Sequence, residues 1–182
     1  MTFWLARHAQ PLIDAGICYG QLDVPADTAA TAHVAAALAA MLPPAVTVVT
    51  SPLQRCEQLR QALCRLRPDL TCQTDPRLQE MHFGTWEGRP WADVAPAELQ
   101  AWTDDFSGYA AGGSGESVAT FMARVAAALD ARDRTRNTLW ITHAGVIRAA
   151  TLIASGQRQL HHASQWPTSG PAFGQWVTLA FI

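Results

Sequence analysis

Four separated stretches of this sequence hold the groups with most chemical reach: Arg7-His8, Ser51-Pro52-Leu53-Gln54-Arg55, Leu78-Gln79-Glu80 and Thr142-His143-Ala144-Gly145. A neutral imidazole can attack or take a proton near pH 7. A guanidinium stays charged and offers forked donors to an oxyanion, and a carboxyl can pass a proton to a leaving group. Arg7 beside His8 disfavours the imidazolium and so helps keep His8 nucleophilic. Glu80 lies among apolar neighbours, a setting that raises a carboxyl pKa and suits a general acid, with Glu87 as its rival. Taken singly, each residue has an ordinary structural role: a satisfied core histidine for His8 or His143, a surface ion pair for Arg55. The ordered combination is what points to a site.

Such groups work only if the chain brings them together. Thr2 to Ala6 and Val46 to Val49 are short apolar runs that predict buried strands, and Thr138 to Thr142 predicts a third. His8, Ser51 and His143 each follow one of these, at the edge where an open α/β sheet gathers its active-site groups. Thr28 to Leu42, with Asp27 or Thr28 as cap, Leu53 to Leu66, Glu116 to Ala131 and Ala144 to Ala154 carry helical patterns. The N-terminus of the last offers unpaired N–H groups to an anion. Leu70 to Thr74 and Gln175 to Ile182 complete the expected strands. Residues 80 to 117, rich in Gly, Trp, Pro and Asp, break the alternation and predict a cap-like insertion with a short helix near 93 to 103. The expectation is one domain over 1–182, a three-layer α/β/α sandwich with a mostly parallel sheet.

Composition narrows the chemistry. The chain has 182 residues, 49% of them hydrophobic, and a formal net charge of -2, which gives no basic field for nucleic acid. All 13 basic residues are Arg, so a P-loop lysine and a Schiff-base lysine are both excluded, and a phosphate clamp must use Arg, His and backbone N–H. Cys18, Cys56, Cys64 and Cys72 form no CxxC pair or zinc-spaced cluster, which predicts reduced thiols, no disulfide framework and no metal. His33, His82, His161 and His162 have no assignable partners. No signal peptide, membrane span or cofactor motif is evident, so a cytoplasmic protein acting on a small molecule is expected.

The four stretches, together with Phe83-Gly84-Thr85-Trp86-Glu87-Gly88 and the helix entry Gly115-Glu116-Ser117, resemble the motifs of the histidine phosphatase superfamily over nearly the whole chain. The resemblance implies a phosphoglycerate mutase-like fold and a metal-independent phosphomonoesterase. His8 would attack phosphorus, Arg7, Arg55 and His143 would hold the equatorial oxygens, Glu80 would protonate the leaving oxygen, and Tyr19, Gly20 and Ala144 would line the substrate site. Two positions depart from the pattern. Ala9 stands where glycine usually follows the histidine and is expected to strain the turn; Leu59 stands where threonine is frequent.

Gly16 to Pro25 looks most like α-ribazole phosphatases of cobalamin assembly, which implies α-ribazole 5′-phosphate as substrate, with Trp86, Trp91 and Trp102 available to stack a flat base. A broad-specificity sugar phosphatase, a phosphoglycerate mutase, a protein-phosphohistidine phosphatase and a non-catalytic phosphate-binding module are the alternatives.

Overall fold

The computed structural model describes residues 1–180. Strands β1 (Phe3–Arg7), β2 (Thr47–Thr50), β3 (Thr71–Thr74), β4 (Thr138–Thr142) and β5 (Trp176–Thr178) form one sheet in the order β3-β2-β4-β1-β5, parallel except for β5. Helices α1 (Thr28–Met41) and α2 (Gln54–Leu66) cover one face; α4 (Val118–Asp130) and α5 (Ala144–Ala154) cover the other. Helix α3 (Pro96–Asp104) lies in the 80–117 segment among several single 3-10 turns.

This layering follows from the period of two along a strand. Leu5 and Trp140 point into the layer shared with Phe121, Val125 and Ile147. Their neighbours Ala6, Leu139 and Ile141 point into the layer shared with Leu38 and Leu59. β4 is buried at all five positions, as a central parallel strand must be. Asp27 caps α1 by accepting from the Ala30 N–H at 2.7 Å, and Ser117 caps α4 by accepting from the Thr120 N–H at 3.2 Å. Leu59 is fully buried in α2 against β2 and β4, so the departure from threonine supplies core volume.

Two expectations need correction. The terminal strand is shorter than Gln175 to Ile182, covering Trp176–Thr178, and the end of that range, Phe181 and Ile182, lies outside the described residues. The cysteines are not all thiols: Cys64 at the end of α2 is joined to Cys72 on β3, while Cys18 and Cys56 are free and buried. Spacing could not reveal the bond, because it depends on β3 running back along α2. The link fastens an edge strand whose residues are mostly exposed. Closing so short a loop contributes about 2.5 kcal/mol in the chain-entropy model. Cys64→Ser is therefore expected to lower the urea-derived unfolding free energy by about 2 kcal/mol and to leave turnover unchanged. An unaltered denaturation midpoint would contradict the first part.

Candidate functional site

The register of the sheet assembles the site. Arg7 is the partner of Thr142 across β1 and β4, so His8 and His143, one residue further on, emerge side by side with ring centroids 5.2 Å apart. The ladder continues past the strands, with the His8 N–H donating to the Thr142 carbonyl and the Ser51 N–H to the Ile141 carbonyl, each at 3.0 Å. His8, Ser51, Arg55 and His143 are all buried. The Nδ1 of His8 lies 2.7 Å from the Ala9 carbonyl. A carbonyl only accepts, so Nδ1 carries the proton and the Nε2 lone pair is left free. Ser51 Oγ lies 2.9 Å from His143 Nε2, and Cys56 Sγ flanks the same ring.

Arg55 sits in the first turn of α2 and donates to the carbonyls of Leu22 at 2.9 Å and Gly20 at 2.6 Å. Arg7 donates to the Pro171 carbonyl at 3.0 Å and stacks on Phe173. Neither has a carboxylate partner among the described residues, and the Nε of each is buried with no hydrogen-bond partner. Arg55 is fully buried and Arg7 half-buried, and cations so placed without a counter-ion are costly unless an anion binds between them.

Burial, then the charge of Arg55, with a smaller push from Arg7, lowers the His8 pKa to about 3. The charge thus comes mainly from a residue 47 positions away in sequence rather than from the neighbouring Arg7. His143 is likewise held well below the usual histidine range by burial and by Arg55. Both rings are neutral at pH 7. Each would be protonated in the unfolded chain below about pH 6.5, so the unfolded state takes up more protons there and stability falls as pH drops. For His8 the loss runs from pH 6.5 down to about 3, at up to about 1.4 kcal/mol per pH unit. Urea denaturation at pH 7 and pH 5 should show this fall, and His8→Asn should reduce it; equal slopes would contradict the burial of a neutral His8.

Glu80 reaches the cluster from the far side. One carboxylate oxygen accepts the Gly145 N–H in the first turn of α5, and the other accepts the Met81 N–H, both at 3.0 Å. Sequence suggests an apolar niche; the fold adds two backbone donors that fix both oxygens. A Cβ at position 145 would collide with Glu80 Oε1, so a larger residue there would push the carboxylate out of this position. Arg124 is not singled out by sequence, having only the look of a surface helix residue. It donates to the carbonyls of Arg77, Gln79 and Glu80 while paired with Glu116, and so holds the Glu80 backbone.

The remaining expected residues fall in varied places. Tyr19 faces both Arg7 and Arg55, and burial raises its pKa. Gly20 offers its carbonyl to Arg55, which makes it a support for the cluster. Ala144 lines a cavity of about 140 Å³ next to Glu80. Glu87, the rival carboxylate, accepts the N–H groups of Gln21 and Phe83 and ties Gly16 to Pro25 to the 80–117 segment. Ala9 is buried in the α1 layer and is absent from the residues with left-handed backbone, so its Cβ brings no strain. Trp86 is fully buried, with its N–H on Glu98, and Trp91 stacks on Trp102; of the three, Trp102 lines the cavity. His33, His161 and His162 are exposed, and His82 is half-buried. Among the described residues no group of three or more His, Cys, Asp or Glu is arranged to hold a metal ion, and no helix is long and apolar enough to cross a membrane.

A model of the histidine phosphatase superfamily (branch 1) matches residues 3–171. Among solved structures, TTHB049 from Thermus thermophilus is 27% identical and superposes with a TM-score of 0.72, covering 98% of this chain and 92% of its own. A protein described as mycobacterial hydrolase 2 is 25% identical, with a TM-score of 0.76 over 97% of this chain and 80% of its own. The mycobacterial glucosyl-3-phosphoglycerate phosphatase Rv2419c, at 24% identity and a TM-score of 0.78 over 97% and 88%, shares the fold. Among curated proteins, none matches.

Proposed function

The chain belongs to the histidine phosphatase superfamily, and from that premise we propose that it is a metal-independent phosphomonoesterase working through a phosphohistidine on His8. The observation that carries this reading is the pair Arg7, half-buried, and Arg55, fully buried, each with a buried Nε lacking a partner and neither with a counter-ion among the described residues, beside a neutral and buried His8.

The chemistry follows from the positions. His8 Nε2 attacks phosphorus in line as the P–O bond to the alcohol breaks. Arg7, Arg55 and His143 hold the three equatorial oxygens, assisted by the Ala144 N–H at the start of α5. Glu80, at the N-terminus of α5, protonates the departing alkoxide. In the second step the Glu80 carboxylate takes a proton from water, whose oxygen attacks phosphorus as the P–N bond breaks, releasing phosphate and restoring His8. Arg7 and Arg55 supply the positive charge that these steps require, and neutral His143 adds a hydrogen-bond donor.

α-Ribazole 5′-phosphate is the substrate that the Gly16 to Pro25 resemblance brings forward, with a place in cobalamin assembly. A specific observation favours a second reading, a phosphatase of broader range. That stretch is spent on Arg55 and Glu87 through Gly20, Gln21 and Leu22, so its residues support the machinery common to all phosphomonoesters. A cytoplasmic location fits either substrate, since a charged phosphomonoester does not cross a bilayer unaided. Phosphate release in EDTA from α-ribazole 5′-phosphate, 3-phosphoglycerate and phenyl phosphate separates these readings. Dominant kcat/KM on the first supports the cobalamin role, and comparable values support the broader phosphatase. No turnover of any would overturn the proposal and favour a phosphate-binding module.

A further inference from the structure

We infer that the cavity beside Glu80 is a leaving-group subsite for a one-ring alcohol carrying a second negative charge, and that Arg148 is the residue that reads that charge. The inference rests on the phosphomonoesterase reading above and goes on to name a substrate class for it. The cavity, about 140 Å³, is walled by Phe83, Trp102, Phe106, Phe121 and Trp166. An apolar space of that size holds a single six-membered ring. Glu80 and Gly145 line it as well, so a ring seated there has its ester oxygen within the same cavity wall as the proposed proton donor.

Two polar groups in this wall are unspent. The Trp102 indole N–H is buried without a partner. Arg148, one turn along α5 from Ala144, lines both the cavity and the open groove beside Ser169, Gly170 and Pro171. Its Nε donates to the Ser169 carbonyl at 3.2 Å, and among the described residues no carboxylate pairs with it. The same loop accepts from Arg7 through the Pro171 carbonyl, so one short segment touches both arginines. Arg148 thus borders both the cavity and the open groove, and its terminal nitrogens, with no hydrogen bond among the described residues, are available to a carboxylate, which a guanidinium can bind through two parallel bonds. Glu80 is the one acidic side chain lining the cavity.

The test compares 4-carboxyphenyl phosphate with 4-methylphenyl phosphate, which have similar shape; the carboxylated phenolate is the weaker base and better leaving group, an advantage that acts on kcat and is the same in wild type and Arg148→Gln, so the comparison is read in KM. The wild type is expected to favour the carboxylate by about tenfold or more in KM. In Arg148→Gln the ratio should collapse toward one while hydrolysis of 4-methylphenyl phosphate is retained. A wild-type ratio near one, or a ratio that survives in Arg148→Gln, overturns the inference and leaves the phosphatase standing. Should neither ester turn over, the phosphatase reading fails instead, and calorimetric titration with 4-hydroxybenzoate in phosphate still decides the subsite: binding by wild type that is weakened in Arg148→Gln supports it, and no binding rejects it.

Discussion

His8→Ala is expected to cut kcat/KM for every phosphomonoester by at least about 10⁴-fold, with the variant folded and still able to bind inorganic phosphate. The proposed nucleophile has no substitute in the site. His143 is the nearest other imidazole, but its ring is held by Ser51 and Cys56 within the buried wall. Water attacking directly would have to replace a nucleophile already fixed next to phosphorus, and the advantage of that fixed placement is lost with the ring. Phosphate affinity should persist because Arg7 and Arg55 keep their backbone anchors to Pro171, Leu22 and Gly20, none of which involves His8. Steady-state kinetics with phosphate binding by calorimetry checks both halves. His8-independent turnover would remove the phosphohistidine mechanism; lost phosphate binding together with lost activity would point to collapse of the pocket, which His8→Asn, with more of the volume kept, would then resolve.

Glu80→Gln is expected to behave differently according to the leaving group. An alkyl phosphate needs its departing oxygen protonated, and its kcat should fall by about 10²- to 10⁴-fold. An aryl phosphate departs without that help, so its first turnover should survive and release about one equivalent of phenol per enzyme. The next step should then stall, because the water that attacks the phosphohistidine has lost its base. The phosphoryl group should remain on His8, detectable in quenched protein as an acid-labile, base-stable adduct on the peptide that contains Arg7-His8. Glutamine keeps the length of Glu80 but has one acceptor oxygen for the two N–H groups of Gly145 and Met81, so some loss of positioning accompanies the loss of the proton carrier. The contrast between alkyl and aryl substrates separates the two effects, since misplacement alone would slow both. Equal loss on both substrates with no trapped adduct would assign the acid role elsewhere, with Glu87 the next to be tested.

Much of the site is legible in the sequence because a parallel sheet turns local pattern into position. His8 and His143 follow β1 and β4 directly, and once those strands are recognised from their apolar runs, their side-by-side emergence needs only that the two strands be neighbours. The observed bounds of β4 and α5 are those expected from sequence, since β4 is wholly buried and α5 begins where the strand ends. The identity of the residues alone restricts any phosphate clamp to Arg, His and backbone N–H, because the chain has no lysine to offer.

What only the tertiary structure decided were contacts between stretches with no local signature. Arg55 dominates the charge around His8 although it is remote in sequence, because β2 lies next to β4 and carries the start of α2 to the same edge. Glu80 is held by a glycine 65 residues later and by Arg124, neither of which announces that role by type or spacing. The Cys64–Cys72 bond depends on the return of β3 along α2. The tryptophans that sequence offered as base-stacking faces are mostly spent on one another, because large aromatic surfaces bury themselves wherever packing allows, and only the fold decides which of them is left facing a cavity. Residue type and strand-end placement thus determined which chemistry this protein can hold, while the packing of distant segments decided which charge, which brace and which aromatic wall surround it.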